Sequence, residues 1–253
     1  MRSGNPALKE ETFLDLGSGS LVRNPASAMT LNGTVNKTGV LLLLAVLTAA
    51  FSWHASLDSL GQPLPVARLY MLGGAIGGLV LALVTIFKKE WAPVSAPLYA
   101  LVEGLFLGAI SAVYEARFDG IVFQAVLLTF GTLFALLFAY RSGLIRATEN
   151  FKLGVVAATG GIALVYLATI VLGLFGINIP YIHESGLIGI GFSLFVVVVA
   201  ALNLVLDFDF IESGVEAGAP KYMEWYGAFG LMVTLVWLYL EFLRLLSKLQ
   251  SRD

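Results

Sequence analysis

The amino-acid sequence predicts an all-α membrane protein, a polytopic bundle of seven transmembrane helices. Hydrophobic residues make up 58% of the 253 residues, and charged residues make up only 13%. A soluble domain contains about 25% charged residues, and a globule of this length has too much surface to hide so apolar a chain from water. The mean hydropathy of +0.87 therefore excludes a soluble protein. The lipid bilayer is the first partner that the composition predicts.

Seven apolar stretches are long enough to cross a bilayer, because a spanning helix needs roughly 20 apolar residues. They are too long for the strands of an outer-membrane barrel, which measure about 10 residues each. The predicted spans cover residues 38–57, 66–87, 96–115, 120–140, 153–175, 185–206 and 225–246. Residues 1–36 contain charged and turn-forming residues but no apolar core of a signal peptide. We predict that residues 1–36 form a flexible cytoplasmic arm and that residues 37–253 form the transmembrane domain.

The distribution of Lys and Arg predicts the orientation, because these residues concentrate in cytoplasmic links. With a cytoplasmic N-terminus, ten of the 15 basic residues lie inside and five lie outside. The link at residues 176–185 would then face outward, and it contains neither Lys nor Arg. We therefore expect the N-terminus inside and the C-terminus outside.

Composition and missing motifs exclude several functional classes. A net charge of −2 offers no basic field for nucleic acid. The chain has no Cys and only two His, His54 and His183, which are too few for haem or a conventional zinc site. The HExxH motif and the Gly-x-Ser-x-Gly elbow are absent. We expect a protein that is not an enzyme and that uses no cofactor.

Ionisable residues inside spans are the best candidates for function, because each costs about 2.5–3.5 kcal/mol to insert. Glu103 lies well inside span 3, and Gly104 and Gly108 allow a neighbouring backbone to come close on that span. The Glu103 carboxyl group could bind a cation or carry a proton. The alternative is a protonated structural acid that is hydrogen-bonded to another helix.

Asp207 and Asp209 are predicted where span 6 ends. Residues two apart point about 200° away from each other on an α-helix, so only one of the two is expected to face the interior. Glu212, Glu216 and Glu224 follow in the predicted link. The acids at 207–224 predict either an inner rim that concentrates cations or an ordinary solvated loop.

Glu241 lies in the last third of span 7, three residues before Arg244. This spacing puts both side chains on one helix face. It favours an ion pair at the outer boundary, and a position in an ion path is the alternative. Thr234 lies seven residues before Glu241 and shares its stripe.

Span 2 contains two overlapping GxxxG pairs, which are typical of closely packed helices. Packing inside one chain explains these pairs as well as a dimer interface does, so they predict no oligomeric state. The two pairs are Gly73 with Gly77 and Gly74 with Gly78.

Three segments carry a resemblance to a known family. Span 6 ends in LNLVLDFDFIE, the last span reads EWYGAFGLMVTLVWLYLEFLRLLSKL, and span 3 contains LVEGLFLG. Over residues 30–250 the chain resembles the seven-span Bax inhibitor/YccA-like family, the transmembrane Bax inhibitor motif proteins. Asp207 falls on the family's span-6 aspartate, and Arg244 lies near its terminal basic residue. The segments MRSGNPAL and TLNGTVNKTG are similar to a bacterial branch of the family.

The resemblance implies a central seventh helix and a location in the bacterial inner (plasma) membrane. It also implies a calcium leak that senses pH through a hydrogen-bonded pair of aspartates, one in span 6 and one in span 7. Asp207 matches the first aspartate, whereas Thr234 stands near the position of the second. A threonine cannot share a proton as a second carboxyl group does, so Asp207 alone would give a weaker pH switch or none, unless Asp209, Glu103 or Glu241 acts as a substitute.

The leading hypothesis is therefore a pH-influenced, calcium-permeable leak. Its ion path or gate would use Asp207, Glu103, Asp209 and Glu241, since carboxylate oxygens suit a hard cation such as calcium. The alternative is a non-conducting modulator of a membrane protease or of a stress response, with the protease as a partner. A proton-coupled transporter is a weaker hypothesis, because no span shows the central break typical of such carriers.

Overall fold

The computed structural model describes residues 28–176 and 186–251. In these ranges the chain forms seven α-helices and no strand beyond isolated bridges. Each helix is long and apolar enough to cross a membrane, which confirms the predicted fold class. The helices are α1 (Leu31–Ser56), α2 (Val66–Phe87), α3 (Ala92–Glu115), α4 (Ile121–Arg141), α5 (Glu149–Leu174), α6 (Leu187–Glu216) and α7 (Met223–Gln250).

Two predicted segments fall outside the described residues. The first is the greater part of the predicted arm, residues 1–27, and the second is the predicted outer link at residues 177–185, which includes His183. The last residues of the predicted arm, 31–36, do lie in the described range, and they are helical.

Helix α1 begins seven residues before the predicted start of span 1. The backbone of Thr30 is extended, and its side chain accepts a hydrogen bond from the Gly33 N–H at 3.0 Å. This N-cap satisfies one of the free N–H groups of the first turn and starts the helix at Leu31, ahead of the apolar run from which span 1 was predicted.

Helix α6 continues ten residues beyond the predicted end of span 6. It ends at Glu216, and Gly218 follows with a φ of 65°, the left-handed conformation typical of a helix C-terminus. Asp207, Asp209 and Glu212 therefore lie on the helix. The prediction of an acidic loop over residues 207–224 was wrong, because only residues 217–222 connect α6 to α7.

Short links join the helices and are closed by local hydrogen bonds. Asp58 accepts from the N–H groups of Leu60 and Gln62 in the α1–α2 link, each at 2.8 Å. Glu115, the last residue of α3, accepts from the N–H of Gly120 at 2.7 Å in the link to α4. Such bonds satisfy backbone groups that the helices leave free at their ends.

The chain divides into two compact units. The α1–α3 unit contains residues 28–122 and 210–233, which form α1, α2, α3, the end of α6 and the start of α7. The α4–α6 unit contains residues 123–209 and 234–251, which form nearly all of α4, all of α5, most of α6 and the rest of α7. In the α1–α3 unit, α3 packs along both α1 and α2, while α1 and α2 touch each other little.

Burial differs greatly among the helices. The most apolar stretch of α7 is 61% buried and that of α5 only 11%, so α7 is the most enclosed of the seven. Large apolar side chains remain exposed on the other helices, for example Leu72, Phe123 and Leu164. Lipid tails are a suitable environment for such faces, whereas water is not.

Candidate functional site

Glu103 lies near the middle of α3 in the α1–α3 unit, and only 8% of the residue is exposed. Its carboxylate lies against the backbone of Gly78 on α2, where a Cβ atom would overlap Oε2. The Tyr99 ring, one turn before Glu103, lies 3.8 Å from the same Cβ position. Among the described residues, the carboxylate has no hydrogen bond or ion pair. A buried acid without these interactions takes up a proton or a cation to avoid the cost of an isolated charge.

Helix α1 covers the face of α3 beside Glu103. A Cβ at Gly104 would overlap Thr48 Oγ1 and the Ala45 carbonyl oxygen. A Cβ at Gly108 would overlap the Ala49 carbonyl oxygen in the same way. The prediction that these glycines admit a neighbouring backbone is confirmed, and that neighbour is α1 of the same chain.

The glycines of α2 have different surroundings. A Cβ at Gly74 would come within 2.8 Å of the Phe106 backbone nitrogen, and Gly78 meets Glu103. A Cβ at Gly77 would be 2.9 Å from Val102 Cγ1, and Gly73 has nothing within 4 Å. The Gly74/Gly78 pair therefore packs α2 against α3 inside one chain.

Buried polar side chains follow one face of α3 at intervals of four residues. Ser95, Tyr99, Glu103 and Ser111 occupy this stripe, and each is at most 8% exposed. Ser95 accepts a hydrogen bond at 2.8 Å from Thr85 on α2. Side chains four apart share a helix face, so the stripe extends along most of α3. It supplies a row of oxygen atoms with one acidic group at its middle.

Asp207 and Asp209 have different environments within the α4–α6 unit. Asp207 is fully buried, while the side chain of Asp209 is 21% exposed and its Oδ2 lies 2.8 Å from Lys152 Nζ. The two acids therefore differ in exposure, although Asp209 is also largely covered. Lys152 is 5% exposed near the start of α5 and also lies 3.4 Å from Glu149. Sequence reasoning did not anticipate this buried lysine as the partner of Asp209.

Glu241 is 1% exposed and has several donors within the α4–α6 unit. Arg244 Nη1 donates to both carboxylate oxygens at 2.9 and 3.1 Å, which confirms the predicted ion pair. The Tyr166 hydroxyl donates to Oε1 at 3.0 Å, and Trp237 Nε1 donates to it at 3.3 Å. Arg244 also donates to the Tyr166 hydroxyl at 2.5 Å. These bonds join α5 to α7.

Glu224 is a buried polar group that sequence reasoning placed in a loop. It is fully buried on the first turn of α7 and accepts from the Thr30 N–H at 2.9 Å and the Thr30 hydroxyl at 2.8 Å. Lys221 Nζ lies 2.7 Å from Oε1, and Lys37 Nζ pairs with Oε2. The spacing of Lys221 and Glu224 predicts their pair. Nothing local indicates the partners on α1, which are nearly 190 residues away.

Lys248 is a second buried group that the sequence did not single out. It is 5% exposed on the last turns of α7, and its Nζ donates to the Gly189 carbonyl at 3.0 Å and to Ser193 Oγ at 2.9 Å. Its spacing could have indicated that it is buried, because Lys248 lies seven residues after Glu241 and shares the same buried helix face.

Tyr222, in the link between α6 and α7, has a shifted pKa and lies outside the membrane-spanning helices. Burial and the nearby Glu90 carboxylate raise the pKa of Tyr222 above its ordinary value. Tyr222 therefore stays protonated at neutral pH. The turn at Lys89–Trp91 that contains Glu90 lies close to this link within the α1–α3 unit.

Comparison with known families gives a match to nearly the whole chain. Residues 5–251 match the family described as Bax inhibitor 1 like. The chain belongs to that family. Comparisons with curated proteins and with solved structures found no match. The family match covers all seven helices, so this Bax inhibitor 1-like protein is a multi-pass membrane protein throughout its described length.

The four predicted site residues of the Bax inhibitor 1-like chain have different structural settings. Asp209 and Glu241 each belong to an ion pair, and the two pairs are separate. Asp207 and Glu103 are both buried, one in each unit. No group of three or more His, Asp or Glu within the described ranges would hold a metal ion.

Proposed function

We propose that this Bax inhibitor 1-like protein is a calcium-permeable leak of the bacterial inner membrane, and that pH influences its flux. The observation that carries the proposal is Glu103, a carboxyl group at mid-helix, 8% exposed and without a hydrogen bond or ion pair among the described residues. An acid in that position is by default a functional group of a membrane protein.

The surroundings of Glu103 support a permeant cation over a structural acid. A structural acid would hydrogen-bond to a neighbouring helix, whereas Glu103 lies against the Gly78 backbone. The polar stripe of α3 supplies further oxygen atoms, and calcium prefers oxygen ligands. Conduction also requires weak binding, so that an ion can leave again. One carboxylate with a few hydroxyl groups meets that requirement better than a full coordination shell does.

Asp207 is the residue that we propose for the influence of pH. It is fully buried on α6, and it matches the family's span-6 aspartate. Thr234, near the expected position of the second aspartate, is 2% exposed, but its hydroxyl does not titrate as a carboxyl group does. In this proposal Asp207 senses pH without a second aspartate at that position.

Calcium entry into dye-loaded proteoliposomes tests the leak and the role of Asp207 together. Wild-type flux is expected to change between about pH 6 and 8, and Asp207→Asn to remove that change. Asp209→Asn is the matched control, because Asp209 lies two residues after Asp207 but pairs with Lys152, and this variant should keep the pH dependence. Equal behaviour of both variants would contradict the role of Asp207. No flux at any pH would contradict the leak and favour a non-conducting modulator of a membrane protease.

The proposed orientation keeps the N-terminus in the cytoplasm. It is supported by the excess of Lys and Arg in the links that would then lie inside, such as the α2–α3 turn with Lys88 and Lys89. The chain has no cysteine, so a single introduced cysteine reports topology cleanly. Labelling of Gly143→Cys in intact cells by a membrane-impermeant reagent would contradict this orientation.

A further inference from the structure

One carboxylate joins the first turn of α1 to the first turn of α7. Glu224 accepts two hydrogen bonds from Thr30, the N-cap of α1, and pairs with Lys37 two turns further along that helix. Its third partner residue, Lys221, lies just before α7 itself. All of these residues belong to the α1–α3 unit. Glu224 is fully buried and the side chain of Lys37 is 19% exposed, so this pair is screened less than a pair of exposed side chains.

The backbone of α1 is shaped around this carboxylate. A Cβ at Gly33 would overlap the Glu224 carboxylate, so the glycine is what admits it to the first turn. The Met29 N–H donates to the Ala219 carbonyl at 2.7 Å, just before α7. Lys37 Nζ also lies 5.5 Å from the centre of the Trp225 ring, within the range of a cation–π contact. The contacts between α1 and α7 thus converge on Glu224 and its neighbours.

The same helix α1 covers α3 beside Glu103. Its residues Thr48 and Ala49 lie directly against Gly104 and Gly108. A helix moves largely as a rigid rod, so the attachment of its first turns affects how the whole helix lies on α3. The position of α1 therefore controls how far the face of α3 next to Glu103 is covered.

We infer that Glu224 is a clamp, and that it keeps α1 seated on α7 and on α3. Release of the clamp lets the start of α1 separate from α7 and increases calcium flux past Glu103. The second statement rests on the proposed leak, whereas the first concerns helix attachment alone. The two can therefore be tested separately.

Cysteine accessibility tests the clamp without any measurement of flux. The wild-type chain has no cysteine, so Thr34→Cys provides a single reporter on α1. Thr34 is 1% exposed and faces Gly227 of α7, and it becomes reactive to a water-soluble maleimide only when the two helices separate. Val35→Cys, at a position that is 68% exposed, reports the reactivity of an uncovered neighbour.

Two lysine variants provide the matched comparison in this reporter background. Lys37→Met removes the ion pair between α1 and α7. Lys221→Met removes the other lysine that pairs with Glu224, and with it an equal positive charge, but leaves the ion pair to α1 in place. We expect Lys37→Met to accelerate labelling at Thr34→Cys about tenfold, the factor that corresponds to ~1.4 kcal/mol in the opening equilibrium. Lys221→Met is expected to stay near the wild-type rate.

A second pair of variants, at two glycines of α1, distinguishes loss of the clamp from a general failure to fold. Gly33→Ala displaces the Glu224 carboxylate, while Gly39→Ala meets nothing within 4 Å on the same helix. Faster labelling in Lys37→Met and Gly33→Ala, but not in their controls, would support the clamp. Equal rates in both members of each pair would overturn it, whether or not the protein conducts calcium.

Flux in the same variants tests the second statement. Lys37→Met should conduct more calcium than Lys221→Met. Faster labelling with unchanged flux, in a wild-type background that conducts, would overturn the link between the clamp and the leak. A wild type that conducts no calcium would contradict the proposed function, and the labelling rates alone would then decide whether the clamp exists.

Discussion

Glu103 and Gly78 show how much depends on single residues in this protein. The carboxylate occupies space that only a residue without a side chain leaves open on α2. Gly73, five residues earlier on the same helix, has open space around it. The two glycines of this region therefore have different surroundings, and only Gly78 belongs to the candidate site.

Alanine substitutions at Gly78 and at Gly73 test whether the position of the Glu103 carboxylate matters, because neither substitution changes its charge. Gly78→Ala should push the Glu103 carboxylate out of place, because the new Cβ would overlap Oε2. We expect calcium flux to fall by about tenfold, ~1.4 kcal/mol. Gly73→Ala should leave flux unchanged and make the helix slightly more stable, because Ala is favoured over Gly by about 0.5–1 kcal/mol. Flux assays of the two variants at equal protein density provide the measurement. Equal flux in both would show that the place of the carboxylate is irrelevant.

Sequence analysis predicted residue environments where the causes are local. The different exposure of Asp207 and Asp209 agrees with helix geometry, and the pair of Glu241 with Arg244 follows from their spacing. It did not predict the partners of Glu224 on α1 or the bond from Lys248 to Ser193. Those contacts join residues that are 55 to 194 positions apart, and a single sequence contains no signal for such distant pairs.

At the scale of the helices, apolar length predicted their number and type, while polar detail determined their ends. Helix α1 starts early because Thr30 caps it, and α6 continues past Asp207 to a left-handed glycine. Both differences arise because hydropathy marks the part of a helix that lipid surrounds. A helix continues as long as its backbone hydrogen bonds and its tertiary contacts support it.

The close packing of α1 on α3 gives a prediction for stability. Gly108→Ala would place a Cβ 2.7 Å from the Ala49 carbonyl carbon, which is backbone and cannot move aside cheaply. We expect a loss of about 1–3 kcal/mol, and each kcal/mol lowers the melting temperature by roughly 2–4 °C in a chain of this size. Gly131→Ala on α4 meets nothing within 4 Å and serves as control. Thermal unfolding in detergent measures both, and equal melting temperatures would contradict the packing described.

At the scale of the whole molecule, membership in the Bax inhibitor 1-like family and seven membrane-length helices agree with one another. Composition alone was sufficient to predict a membrane protein, because a chain with 58% hydrophobic residues has few soluble folds available to it. The function of the molecule depends on far fewer residues. The proposed leak depends above all on one acid in α3 that neither a hydrogen bond nor an ion pair among the described residues explains.

Calcium flux into proteoliposomes with Glu103→Gln is the most direct test of that claim. The matched control is Glu149→Gln, which removes the same charge from a side chain that is 77% exposed at the start of α5. The account predicts that Glu103→Gln reduces flux by at least about tenfold, ~1.4 kcal/mol, while Glu149→Gln conducts like the wild type. Wild-type flux in Glu103→Gln would contradict the account and remove Glu103 from the ion path.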